Sequence, residues 1–298
     1  MNGATGATLG RFGEHRLAVV SFVLVCGLGV AVLAAPLVAA WTGASAIDVD
    51  LFGRFHGPSA VHPLGTDELG RDVLLRLLYG GRVSLFVGIV AALVAAGLGT
   101  VVGLAAGYFG GWLDSLLMRL ADGIIALPLL PLLIVLAALD LGKLGLPAAM
   151  IQSEDASLWR IVAIVAIFGW TTVARLVRGA TLALRARLFV VAAQALGAPP
   201  LRVMAVHVLP NLATPIIVAT TLAIGNVILL ESVLSFLGLG IQPPVPSWGN
   251  LLTNAQELIW ASPALAFYPG CLIFATVIAF NFLGDGLQDA LDPKAKTA

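Results

Sequence analysis

The chain has 298 residues, 59% hydrophobic and only 11% charged, with sixteen basic and sixteen acidic side chains and a mean hydropathy of +1.01. Soluble domains carry about 25% charged residues, so a water-soluble fold of this length has nowhere to hide so much apolar surface, and lipid is the solvent. Zero net charge offers nothing for nucleic acid to bind.

Residues 1–16 are short, Gly-rich and carry Arg11 and Arg16, which reads as a loosely ordered tail. Leu17 to Trp41 then runs without a charge. It exceeds the roughly 7–15 apolar residues of a signal peptide and predicts a retained first spanning helix. Five more spans are predicted, at about 83–109, 115–139, 158–178, 209–230 and 263–284. Each is near the ~20 residues that cross a ~30 Å hydrocarbon layer. Residues 87–96 do not alternate polar with apolar as barrel strands do, so the spans are helices. The expected fold is all-α, a polytopic membrane protein of six transmembrane helices, without internal repeat.

Between the first two spans, 42–82 forms the longest polar interlude. Thr66 to Tyr79 is amphipathic, with Leu69, Val73, Leu74 and Leu77 toward one side and Asp67, Arg71 and Asp72 away from it. It predicts a helix on the outer membrane surface, N-capped by Thr66, that packs on the spans or shapes a mouth. The second span is dense in small residues, with Gly99, Gly103 and Gly107 in two consecutive GxxxG units, which places it centrally against a close neighbour. Cys26 and Cys271 both sit in apolar runs without metal or disulfide spacing, and read as small buried hydrophobes.

Orientation follows from Lys and Arg near the span ends. With the N-terminus inside, Arg11, Arg16, Arg119, Arg175, Arg178, Arg185, Arg187, Arg202, Lys294 and Lys296 lie inside. Arg54, Arg71, Arg76, Arg82, Lys143 and Arg160 lie outside. The deciding contrast is that 175–207 holds five Arg and 231–262 no Lys or Arg. Both termini, including the tail 285–298, are therefore expected to be cytoplasmic, with 42–82, 140–157 and 231–262 facing outward.

Leu184 to Leu196 reads as a helix with a flat, small face at Ala192 and Ala193. Gly197 stops it by taking a positive φ. Pro199 and Pro200 suit the first turn of a second helix, where a missing N–H costs little. Pro210 marks the start of the fifth span. The product is a helix–turn–helix over 184–209 at the cytoplasmic surface. On composition alone the same segment fits a connector whose Arg185, Arg187 and Arg202 meet anionic headgroups.

The spacing of this segment resembles the cytoplasmic docking motif of ABC importer permeases. Ala192-Ala193 is followed after three residues by Gly197, and nine residues later by His207-Val208-Leu209-Pro210. Val191 stands where that motif has an acidic residue and His207 where it has an aliphatic one, so a specific salt bridge to a motor loses its carboxylate while the turn does not. His62–Asp72 (HPLGTDELGRD), Leu78–Leu85 (LYGGRVSL), Gly107–Trp112 (GYFGGW), Glu231–Gly238 (ESVLSFLG), Gln242–Gly249 (QPPVPSWG) and Gly284–Pro293 (GDGLQDALDP) are similar to the second permease of dipeptide/oligopeptide importers.

The resemblance implies a type I ABC importer permease fold, with a five-helix core over 83–284, in a bacterial cytoplasmic membrane. It implies a homologous second permease subunit, two cytoplasmic ABC ATPase subunits carrying ATP and Mg, an extracytoplasmic solute-binding protein and lipid as partners. It implies alternating access driven by the ATPases, with no cofactor and no catalysis in this chain. The ATPase contact falls on Ala192, Ala193, Gln194, Ala195, Gly197, Ala198, Pro199, Pro200 and Leu201. The solute stays open among dipeptides, longer peptides, nickel chelates and haem, and the residues lining the pathway are not assigned.

The motor lies elsewhere because the sequence has no G-x-x-x-x-G-K-[ST] phosphate loop; Gly142-Lys143 is followed by Leu144. An ion-gradient transporter is the alternative. It needs ionisable groups inside spans, and the candidates are Asp114, Asp122, Asp140, Glu231 and Asp285. Asp122 can pair with Arg119 three residues earlier, and the rest read as helix-end charges. Asn226 and Asn281 read as inter-helix hydrogen bonders. An intramembrane enzyme finds no support, because His15, His56, His62 and His207 share no span and neither HExxH nor GxSxG occurs. Residues 239–249, with Pro243, Pro244, Pro246 and Trp248, predict a stiff loop whose Trp sits at an interface, either closing two helices or touching a binding protein.

Overall fold

The computed structural model describes residues 10–139, 156–253, 255–260 and 262–291. Asp140, Lys143, Lys294 and Lys296, and most of the expected 140–157 connection, lie outside them. Among the described residues every regular element is a helix. Five helices are long and apolar enough to cross a membrane, and a bent pair makes a sixth candidate.

The first expected span is two helices, α1 (Arg16–Leu33) and α2 (Ala35–Thr42). Pro36 opens α2, and with no N–H to donate it leaves the α-helical bonding interrupted at Ala34. The His15 ring accepts from Ala18 N at 3.1 Å and caps α1. Cys26 and Cys271 are exposed, contrary to expectation. Apolar faces of spans turn to lipid as readily as to the core.

The expected surface helix from Thr66 does not form. Gly70 has φ +76 with the Asp50 carbonyl against it, a backbone state that stops a helix passing through. Thr66 donates its hydroxyl to the Gly53 carbonyl and accepts from His56 N. Asp67 Oδ1 accepts from Leu69 N at 2.8 Å and Arg71 N at 2.9 Å, closing a turn instead. Its Oδ2 takes Arg71 Nε at 2.8 Å and lies 3.3 Å from Arg76 Nε. Asp72, not Thr66, is the N-cap, accepting from Leu75 N at 2.7 Å while His62 Nδ1 lies 2.9 Å from its other oxygen.

From there α3 (Val73–Phe109) runs 37 residues, merging the outer helix with the second span. It lies against α6 (Ala156–Arg185), which begins and ends beyond the expected 158–178. A Cβ at Gly99 would sit 2.6 Å from the Trp170 carbonyl, at Gly103 2.4 Å from the Ala174 carbonyl, and at Gly107 2.7 Å from Thr181 Cβ. The GxxxG face is thus the seam on which α3 and α6 touch backbone to backbone.

The third expected span is broken. α4 (Gly111–Ala126) and α5 (Leu129–Ala137) meet at 86° across Leu127-Pro128. Pro128 forces its predecessor out of helical geometry, and Leu127 is extended at ψ 139. The fifth span is one helix, α8 (Pro200–Phe236), of 37 residues. Pro210 does not begin it. The backbone widens into a π-helical stretch over Val203–Val208, where Leu209 N reaches back to the Met204 carbonyl, and continues unbroken. The last span is α9 (Ala264–Leu291).

The loop after α8 folds inward rather than standing at an interface. Trp248 is fully buried. Its Nε1 donates to the Leu77 carbonyl at 2.9 Å, and its ring fills the space above Gly81. Glu231 is also fully buried, where a helix-end charge was expected. Ser84 Oγ donates to its Oε2 at 3.0 Å and Ser235 Oγ to its Oε1 at 2.7 Å. The same two hydroxyl oxygens accept Trp248 N at 3.1 Å and Ile241 N at 3.0 Å. One carboxyl group therefore fastens α3, α8 and the loop together through two serines.

Candidate docking elbow

The connection from α6 to α8 is a compact elbow. The α6 helix stops at Arg185, and α7 (Leu188–Ala195) starts after Arg187, which is extended. The expected single helix Leu184–Leu196 is thus divided. Gly197 then takes φ +81; its N–H reaches the Gln194 carbonyl at 2.9 Å, and Ala198 N reaches the Ala193 carbonyl at 3.1 Å. These bonds satisfy carbonyls a helix end leaves open, and glycine takes that φ without steric cost. Pro199 is extended and Pro200 occupies the first turn of α8.

The inner face of the elbow is apolar and closed. Val190 and Ala193 pack with Val203, Met204 and Val208 against Tyr108, Val177 and Leu212. Ala192 and Ala193 do not form one flat face. Successive helical residues point about 100° apart, so Ala193 is buried while Ala192 is exposed. The outer face carries large side chains instead. Leu188 is 87%, Leu196 88% and Leu201 76% exposed. Ala192, Ala195, Gly197, Pro199 and Pro200 lie among them exposed, and Ala198 is half-buried. Exposed apolar side chains gathered at a chain reversal make a candidate contact surface, with Arg187, Gln194 and Arg202 also exposed on the same segment.

One residue at the end of α3, Tyr108, makes two contacts that hold the elbow in place. Gln194 Nε2 donates to the Tyr108 hydroxyl at 3.1 Å, and the Arg185 guanidinium lies 5.9 Å from the Tyr108 ring centroid. Above it, α4 and α6 are joined by two ion pairs. Arg178 binds Asp114 through Nε at 2.5 Å and Nη2 at 2.7 Å. Asp122 pairs with Arg175 across the helices, not with Arg119 along its own as expected. Sequence reasoning missed Tyr108 and the Asp114–Arg178 pair. Arg175 and Arg178, three apart on one helix, were the available signal. Among the described residues no group of three His, Cys, Asp or Glu side chains is placed to hold a metal.

Long apolar helices with an exposed apolar reversal between α6 and α8 define a polytopic membrane protein. The chain matches, over residues 99–297, the family described as binding-protein-dependent transport system inner membrane components, and it belongs to that family. It is 39% identical over 284 residues to the dipeptide transport system permease protein DppC of Alkalihalophilus pseudofirmus, covering 95% of this chain and 88% of that one. It is 42% identical over 241 residues to the glutathione transport system permease protein GsiD of Pectobacterium atrosepticum, covering 81% of this chain and 75% of the relative. To the protein of that name in Escherichia coli it is 39% identical over 286 residues, 96% of this chain and 89% of the relative. The chain is accordingly a non-catalytic, multi-pass inner-membrane permease subunit of an ABC importer, a system that works with ATPase and solute-binding partners. Its family, not an ion gradient, accounts for the energy source.

Proposed function

We propose that this permease carries peptides, in the size range of dipeptides and glutathione, across the cytoplasmic membrane by alternating access. It pairs with a homologous permease to enclose one pathway. The elbow lies on the cytoplasmic side, with both termini, and seats in one of two ATPase subunits that bind ATP and Mg. Contact runs through Ala192, Gln194, Ala195, Gly197, Ala198, Pro199, Pro200 and Leu201, with Leu188 and Leu196 filling the partner's cleft, while Ala193, expected in the same contact, faces the core and supports the elbow from within. An extracytoplasmic binding protein delivers the solute. The names borne by the relatives support the cargo.

The observation that carries the coupling role is the apolar outer face of an otherwise packed elbow, held left-handed at Gly197. ATP binding closes the ATPase pair, and the elbow passes that movement to α6 and α8 as a rigid unit because Val190 and Ala193 are locked into the core. The test is reconstitution. Proteoliposomes holding the chain with its second permease, ATPases and binding protein take up a dipeptide only with ATP. Uptake by the chain alone, or an elbow that crosslinks only to lipid, refutes the reading.

A further inference from the structure

The α6 helix, 30 residues and about 45 Å long, exceeds a ~30 Å hydrocarbon layer by about 15 Å in all. Arg175 stands ten residues before Arg185, about 15 Å from the elbow end. On a helix centred in the layer, its Cα stands about 7 Å inside the hydrocarbon boundary. Asp122, its partner, stands at the matching depth, eleven residues along α4 from Gly111. Yet the two side chains are 48% and 58% exposed. A charged pair at that depth is costly against lipid, and its usual surroundings are a protein neighbour or a polar cavity.

Two further observations lead to the same surface. Ser115, Arg119 and Asp122, at i, i+4 and i+7, share one face of α4, and all are exposed. Thr172, Arg175 and Gly179, at i, i+3 and i+7, form an exposed stripe on α6. Five residues beyond Asp122 the backbone breaks by 86° at Leu127-Pro128. Broken backbone at membrane depth occurs where it is buried in protein or lines a watery cavity, and Leu127 and Pro128 are exposed.

We propose that Asp122 and Arg175, with Arg119, form a charged step on the wall of the translocation pathway, which takes a zwitterionic solute by its ammonium and carboxylate groups. The assignment rests on the transport reading above. The Asp122 carboxylate accepts from an ammonium, helped by the carbonyl end of α4. The Arg175 guanidinium, released from Asp122, receives a carboxylate in fork geometry. In the absence of solute the two close on each other, so neither charge is left alone.

The test uses the complete complex in proteoliposomes with alanylalanine as solute. In a chain carrying Cys26→Ala and Cys271→Ala, Asp122→Cys is expected to react with a charged, membrane-impermeant methanethiosulfonate. Reaction only with a lipid-soluble maleimide, or with neither reagent in resting and vanadate-trapped states, overturns the proposal, since the position then faces lipid or a protein neighbour. Asp122→Asn and Arg175→Gln are each expected to lower uptake about tenfold at saturating binding protein, the scale of one lost charged hydrogen bond, with the ATPase still co-purifying. The exchange of Asp122→Arg with Arg175→Asp restores the ion pair and thermal stability but not full uptake. Unchanged uptake in the single variants, or full recovery in the exchange, shows a structural pair only and sinks the solute contact. If the unaltered complex fails to carry alanylalanine, the peptide reading fails, while thiol labelling still decides whether the pair faces water.

Discussion

Replacing Gly103 with alanine tests the seam on which the bundle is built. The added Cβ would stand 2.4 Å from the Ala174 carbonyl, 2.9 Å from Val177 Cβ and 3.0 Å from Arg178 N. Two of these three are backbone atoms, so no side chain can swing aside. The helices α3 and α6 must part by about 0.6 Å to bring the closest contact to the 3.0 Å that real Cβ atoms respect. A gap of 0.5–1 Å forfeits roughly a quarter to a half of the dispersion energy of the atoms along it. Overpacking of this kind costs about 1–3 kcal/mol. Gly97 lies on the same helix with nothing within 4 Å of its would-be Cβ. There alanine gains helix propensity, up to about 1 kcal/mol. The assay is the thermal midpoint of the detergent-solubilised chain, followed by size-exclusion profile after heating. Gly103→Ala is expected to lower the midpoint and Gly97→Ala to hold or raise it. Equal midpoints, or the reverse order, refute the close seam.

Gly197→Val forces a β-branched residue to φ +81, a strain of at least about 1–2 kcal/mol; the chain still inserts, and pull-down of the ATPase falls away. Leu196→Glu changes an exposed side chain and should move stability by no more than about 0.5 kcal/mol, yet abolish ATP-driven uptake with the chain at normal abundance. Glu231→Gln keeps one acceptor oxygen and sets an amide N–H donor against the other serine, so a single hydroxyl loses its acceptor and the cost is about 1–3 kcal/mol. Glu231→Ala deprives both of their acceptor, at about 1–3 kcal/mol each, and hydrogen exchange at the Ile241 and Trp248 amides should rise. Trp248→Ala empties a fully buried site and costs about 3–5 kcal/mol, read as loss of folded protein on extraction.

The helical crossings were legible because lipid allows the backbone few solutions, and long apolar runs declare themselves in composition. Gly197 followed by two prolines was legible because backbone stereochemistry is local. Element ends were less so. A helix from Thr66 was ruled out by Asp50, whose carbonyl closes on Gly70 from twenty residues away. Pro210 looked like a start, but a proline also fits after a π-helical turn, and hydropathy does not register that choice.

Sequence alone determined the solvent, five of the six expected apolar passages, the reversal at Gly197 and the kind of transporter these residues resemble. Partnership across the bundle was decided only by the tertiary structure. Asp122 had Arg119 in easy reach along its own helix, yet α6 presents Arg175, and a neighbour three residues off yields to one fifty-three residues away. Likewise Glu231 and Trp248 looked like groups for an edge and became interior, because the loop that carries Trp248 closes over α3. Burial depends on what folds back onto a residue, and that is a property of the whole chain.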